Sequence, residues 1–135
     1  MDILLESTLD SVDRAEALVL KLAQEVGFAE DDLHELGMAV REAMVNAVVH
    51  GNRYNLKKKV HLTVGQEPDR ISIQITDEGD GFERTELPDP LAEENLLRQS
   101  GRGLLLIQAF VDDFHMERVP PLGTKVRMVK YRKAN

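Results

Sequence analysis

The spacing of apolar residues along this chain changes several times, and each change marks an element. From Val12 the apolar positions keep helical period through Ala15, Val19, Leu22, Ala23 and Val26 and stop at Gly27, which predicts a helix closed by a glycine. The short stretch before it, Asp2 to Ser7, reads as a strand, and Ser7-Thr8-Leu9-Asp10 has the form of a capping box. After a turn at Phe28-Ala29, the acids Glu30, Asp31 and Asp32 stand where a second helix starts and its dipole favours them. Leu36, Val40, Ala43, Met44, Ala47 and Val48 share one broad face of that helix, which runs to about Gly51. Gly51 reads as its glycine stop.

Beyond a polar connector from Asn52 to Lys59 the period shortens to two. Val60, Leu62 and Val64 alternate with His61, Thr63 and Gly65, and Ile71, Ile73 and Ile75 alternate with Ser72, Gln74 and Thr76. The turn from Gln66 to Asp69, with Pro68 in it, predicts that these two strands pair as a hairpin. From Glu83 to Gln99 the chain is polar, acidic and broken by Pro88 and Pro90, a loop with one helical turn at Leu91 to Leu97. Leu104, Leu105, Ile107, Ala109, Phe110 and Val111 then predict an apolar helix. Phe114 to Val119 and Thr124 to Tyr131 predict strands around a Pro120-Gly123 turn, with Lys130 to Asn135 fraying. The order β-α-α-β-β-α-β-β is that of an α+β two-layer sandwich, a mostly antiparallel sheet with its helices on one face.

Composition narrows the function without naming it. The 135 residues suit one domain spanning 1–135. With 17 basic against 24 acidic residues the net charge is −7, which argues against a broad nucleic-acid footprint. There is no cysteine, so disulfides, thiolate metal sites and cysteine nucleophiles are excluded. No apolar run approaches the length of a membrane span, and Met1-Asp2 opens no signal peptide. The expectation is a cytoplasmic protein with no membrane partner. Lys57-Lys58-Lys59 is a basic run of three, which reads as lysines guarding a strand start, against binding of phosphate or a partner.

Three stretches carry candidate chemistry. Glu42, Asn46 and His50 follow at i, i+4 and i+8, a polar ridge on the second helix; a solvated stripe is the alternative. Asp77-Glu78-Gly79-Asp80-Gly81-Phe82 ends the second hairpin strand. A carboxylate only accepts hydrogen bonds, so Asp77 suits an exocyclic amine such as that of adenine and repels the guanine carbonyl. Gly79 and Gly81 admit a ligand to the backbone, and Phe82 can wall the pocket. Gly101-Arg102-Gly103 opens a helix with free amides and a guanidinium, which suits phosphate oxygens. The spacings of a P-loop, a dinucleotide fingerprint, an EF-hand and the protein-kinase loops are all missing.

Taken together these boxes resemble the GHKL superfamily of ATP-binding domains, which includes gyrase, MutL and the histidine kinases. Glu42-x-x-x-Asn46-Ala-x-x-His50-Gly51 is similar to its N box, and Asp77-x-Gly79-x-Gly81 and Gly101-Arg102-Gly103-Leu104 to its glycine boxes. Gly123-Thr124 stands where the superfamily places its final threonine. The likeness runs from about Ile3 to Tyr131 and implies a Bergerat-type fold. No phosphoacceptor helix pair or transducer domain accompanies the boxes. A short stand-alone domain of this kind resembles the anti-sigma factor serine kinases of bacterial partner switching, as does Ser100-Gly-Arg-Gly-Leu-x-Leu-Ile-Gln108.

The resemblance implies ATP and Mg²⁺ as cofactors. It makes Asn46 the metal ligand and Asp77 the adenine reader, with Thr124 helping at the base end. Gly79, Gly81, Gly101 and Gly103 would admit the nucleotide. Arg102 would meet the terminal phosphate, and Glu42 would be the general base for an incoming serine hydroxyl, its alternative being a salt bridge to Arg41 or Arg102. For His50 a helix-end role outweighs a phosphate contact. The implied partners are an anti-anti-sigma protein and a sigma factor, together with a second copy in a homodimer. The other expectations are a nucleotide-gated regulatory module without kinase activity and the detached ATPase half of a two-component kinase.

Overall fold

The computed structural model describes residues 1–79 and 103–133. Strand β1 (Asp2–Glu6) leads into helices α1 (Leu9–Val26) and α2 (Glu30–Val45), the second extended by a π-helical turn at Asn46–Gly51. Strands β2 (Lys59–Glu67) and β3 (Arg70–Thr76) follow, then helix α3 (Gly103–Phe110) and strands β4 (Asp113–Arg118) and β5 (Thr124–Tyr131). The strands form one sheet in the order β1-β2-β3-β5-β4, and every described pair is antiparallel. This is the expected α+β two-layer sandwich. The expected loop from Glu83 to Gln99 and its helical turn lie outside the described residues.

Register turns the period-two pattern into a core. One row across the sheet reads Ile3, Leu62, Ile75, Val126 and Met116, and the next reads Val64, Ile73, Met128 and Phe114. These rows face Val12, Ala15 and Val19 of α1, Leu36, Val40 and Met44 of α2, and Leu104 and Ile107 of α3, all in one apolar cluster. Alternate residues such as Thr63, Ser72 and Gln74 stand on the uncovered face. No helix among the described residues is long and apolar enough to cross a membrane.

Three local expectations are corrected. The cap of α1 is Thr8, whose hydroxyl accepts from the Ser11 amide at 3.3 Å, one residue later than the expected box, because Ser7 is held elsewhere. Ser7 is 1 % exposed and donates to the Lys58 carbonyl at 2.5 Å. The expected fraying from Lys130 is absent through residue 133. Lys130 shares a register row with Ile71 and so points at the helices, where its ammonium donates to the Phe110 carbonyl at 2.7 Å and approaches Glu35 at 3.4 Å. Arg132 then bonds the Asp69 carbonyl through its amide at 2.7 Å. Lys130→Met keeps the stem and deletes the charge, leaving the last carbonyl of α3 and the Glu35 carboxylate unpaired. It should lower unfolding free energy by about 2 kcal/mol in urea titrations.

Gly51 is the third correction. It does not adopt the left-handed conformation of a glycine stop; that falls on the next but one pair, Arg53 (φ 52°) and Tyr54 (φ 60°). Gly51 is glycine because a Cβ there would overlap the Asp77 carboxylate.

Candidate functional site

The end of α2 builds one side of the site. From Asn46 the helix widens, and the Asn52 amide reaches the Ala47 carbonyl five residues back at 2.8 Å. Such π turns occur frequently at functional sites. The widening breaks the expected ridge: Glu42 is half-buried, Asn46 buried, and His50 exposed. His50 makes no hydrogen bond among the described residues.

Glu42 and Asn46 stay together and face α3. A Cβ on Gly103 would stand 2.9 Å from Glu42 Oε2 and 3.8 Å from both polar atoms of the Asn46 carboxamide. The glycine at the start of α3 therefore lies directly against both groups. Asn46 is 9 % exposed, and its Nδ2 is buried without a hydrogen-bond partner among the described residues. A buried amide group is normally satisfied by protein, water or a ligand. The hard carboxamide oxygen suits a cation such as Mg²⁺ that takes few protein ligands, so the residues present fit that ion. Of the alternative salt bridges for Glu42, the one to Arg41 does not form, and Arg102 lies outside the described residues. Arg41 turns to Asp13 at 2.7 Å and Glu16 at 2.8 Å, which leaves the Glu42 carboxylate without an ion pair among the described residues.

The end of β3 builds the other side. Asp77 is 6 % exposed, and its Oδ1 accepts from the amides of Gly79 at 3.0 Å and Thr124 at 3.2 Å. Its own amide donates to the Thr124 carbonyl at 3.0 Å, so Thr124, also buried, is fixed beside it. Nothing among the described residues donates to Oδ2, which faces Gly51. Burial pushes the Asp77 carboxyl up to about 6, against the pull of the Gly79 and Thr124 amides and of the nearby Lys58 ammonium.

Three glycines let the chain close around this carboxylate. Besides Gly51, a Cβ on Gly79 would coincide with the Gly51 carbonyl, and one on Gly123 (φ 126°) with the Asp77 carbonyl. The Cβ position of Gly79 is taken by the Gly51 backbone. The structure thus brings Glu42, Asn46 and Gly103 into one cluster and Asp77, Gly79 and Thr124 into another, joined by the π turn. Gly81, Phe82, Gly101 and Arg102 lie outside the described residues.

Sequence reasoning places Asn52 in a polar connector, yet it is 2 % exposed and every polar atom of its side chain is engaged. Its Nδ2 donates to Ser7 Oγ at 2.9 Å and to the Lys59 carbonyl at 3.0 Å, and its Oδ1 accepts from the Glu78 amide at 2.8 Å. The only local signal is an asparagine directly after the glycine that ends the apolar period.

The histidine kinase-like ATPase domain profile matches residues 5–130. The anti-sigma F factor of Bacillus subtilis is 34 % identical over 103 residues, covering 75 % of this chain and 70 % of that protein. The serine-protein kinase RsbW of Oceanobacillus iheyensis is 31 % identical over 116 residues, covering 82 % and 72 %. The anti-sigma F factor of a Thermoanaerobacter species is 30 % identical over 121 residues, covering 87 % and 82 %. With an α+β two-layer sandwich and a profile match over residues 5–130, the chain belongs to the histidine kinase-like ATPase domain family, and the relatives it is similar to are anti-sigma F factors and a serine-protein kinase.

Proposed function

We propose that this chain is an ATP-dependent protein-serine kinase of a bacterial partner switch, phosphorylating a serine on an anti-anti-sigma protein and sequestering a sigma factor. The observation that supports the reading is the approach of Glu42 and Asn46 to Gly103, with the Glu42 carboxylate unpaired and Asn46 Nδ2 unsatisfied among the described residues. The names of the relatives supply the class of partner.

In this reading Asp77 accepts from the adenine amine on Oδ2, and Thr124 closes the base end. Asn46 would hold Mg²⁺ through Oδ1, with phosphate oxygens and water completing the shell. Bound there, the ion would neutralise charge on the phosphates. Gly81, Phe82, Gly101 and Gly103 are assigned to the nucleotide cradle, and Arg102 to the terminal phosphate. Glu42 aligns the serine hydroxyl and takes its proton as the serine oxygen bonds to the γ-phosphorus. The bond from that phosphorus to the β–γ bridging oxygen breaks, and ADP leaves.

Incubation with γ-labelled ATP and the anti-anti-sigma protein of the same pathway should place the label on a serine of that protein. Tight ATP binding with no transfer would favour the nucleotide-gated regulator instead. Glu42→Gln should slow transfer on the order of 100-fold while changing the Kd for Mg-ATP less than threefold; a transfer rate equal to wild type would remove Glu42 from the chemistry.

A further inference from the structure

The Asn52 side chain lies where four segments meet, and the nucleotide reading does not use it. Through Ser7 it holds the β1–α1 junction; through the Lys59 carbonyl it holds the start of β2. Through Oδ1 it holds the Glu78 amide, between Asp77 and Gly79. Its own backbone closes the π turn that follows Asn46, by the bond to the Ala47 carbonyl, and its carbonyl accepts from the Asn55 amide at 3.0 Å. The residues after it, Arg53 and Tyr54, are both left-handed without being glycine. Such a conformation is costly for side-chain-bearing residues and persists only where the surroundings impose it.

We infer that Asn52 is a positioning residue for the nucleotide: it sets the placement of Asn46, at the phosphate end, relative to Asp77, at the base end. The inference rests on the nucleotide-binding reading above and adds to it a residue that touches no ligand. A nucleotide is gripped at both ends by these residues, so its affinity depends on their mutual placement. The Asn52 Oδ1–Glu78 bond is the side-chain link between the two clusters that also carries a backbone amide of the Asp77 turn. The Ser7 bond belongs to the same side chain but serves the β1–α1 junction. The two bonds therefore separate positioning from plain stability.

The experiment compares Asn52→Ala with Ser7→Ala by Mg-ADP titration calorimetry at 10 °C, with folding of each checked by circular dichroism. Both variants should melt at lower temperature than wild type. Asn52→Ala should bind Mg-ADP at least tenfold more weakly, and Ser7→Ala within threefold of wild type. Equal affinity of wild type and Asn52→Ala would overturn the inference. So would a loss in Ser7→Ala as large as in Asn52→Ala, since affinity would then follow stability. Absence of heat with the wild type would remove the nucleotide reading and this inference together. Hydrogen exchange of the Glu78 amide in the wild-type chain gives the same test if Asn52→Ala does not fold. If the bond must be closed for binding, exchange should slow about 100-fold at a Mg-ADP concentration of 100 Kd; an unchanged rate would show that nucleotide binds with the bond open.

Discussion

Asp77→Asn should weaken Mg-ADP binding about 10³-fold and leave the free protein folded. The substitution keeps Oδ1, so the amides of Gly79 and Thr124 retain their acceptor. It replaces Oδ2 with an NH₂ group, which sets donor against donor where an adenine amine would bind. In the free chain the same change removes a buried charge. The native carboxyl titrates at about 6 and the unfolded one at 3.8, so between those values the native state holds the proton more tightly. This group's contribution to stability is therefore greatest at low pH and is lost as the pH rises through about 6. The unfolding free energy of wild type minus that of Asp77→Asn should be about 2 kcal/mol higher at pH 4.5 than at pH 8 in urea titrations. Wild-type affinity for Mg-ADP should fall as the pH drops below about 6, and no such step should appear in the variant. A stability difference that stays level across this range would mean that Asp77 ionises as an ordinary exposed aspartate.

Gly79→Ala should be the most damaging single-methyl addition in the described chain. The new Cβ would coincide with the Gly51 carbonyl and lie 3.0 Å from the Asn52 amide nitrogen. Both are backbone atoms, so no side chain can swing aside to relieve the overlap. The end of β3 must move away from the π turn, which strains the Gly79–Asp77 bond and the Asn52–Glu78 bond together. A loss of about 4 kcal/mol is expected, a large part of the stability of a domain this size. Thermal unfolding should show it as a greatly lowered Tm, and binding of Mg-ADP should be undetectable. Gly65→Ala is the contrast. Its Cβ meets nothing closer than Ser72 Cβ at 3.9 Å, and the effect should stay within about 1 kcal/mol. Equal tolerance of both substitutions would contradict the close packing of Gly79 on Gly51.

Local pattern made most of the fold legible. The rows through Leu62, Ile75 and Val126 follow directly from strict alternation, because a strand buried on one face must place its apolar residues at period two. Helix ends and buried polar residues were harder to read, because distant segments decide them. Thr8 rather than Ser7 caps α1 since Ser7 is claimed by Asn52 and Lys58, 45 and 51 residues away. Lys130 is buried because its register partner Ile71 faces the helices. The π turn after Asn46 keeps the same residue spacing as an α-helix in the sequence and differs only in which carbonyl each amide reaches.

The candidate site was legible in its residue types and less so in its reasons. Glu42 and Asn46 share an α-helix face, so their pairing is legible, and Asp77 is legible at a strand end. The glycines could be located but not explained. Gly51 reads as a helix stop, whereas a Cβ there would meet the Asp77 carboxylate, and a Cβ on Gly79 would meet the Gly51 backbone. Asn52 is not legible in the sequence, because a buried asparagine differs from a connector asparagine only in its partners, such as Ser7 and Glu78.

The most direct test of a single nucleotide site built from the end of α2, the end of β3 and the start of α3 is an amide-resolved NMR titration of the wild-type chain with Mg-ADP. Resonances of Asn46, Asp77, Gly79, Gly103 and Thr124 should shift together along one saturation curve, with the uncovered sheet face at Ser72 and Gln74 unchanged. An unperturbed spectrum, or shifts confined to that sheet face, would contradict the site.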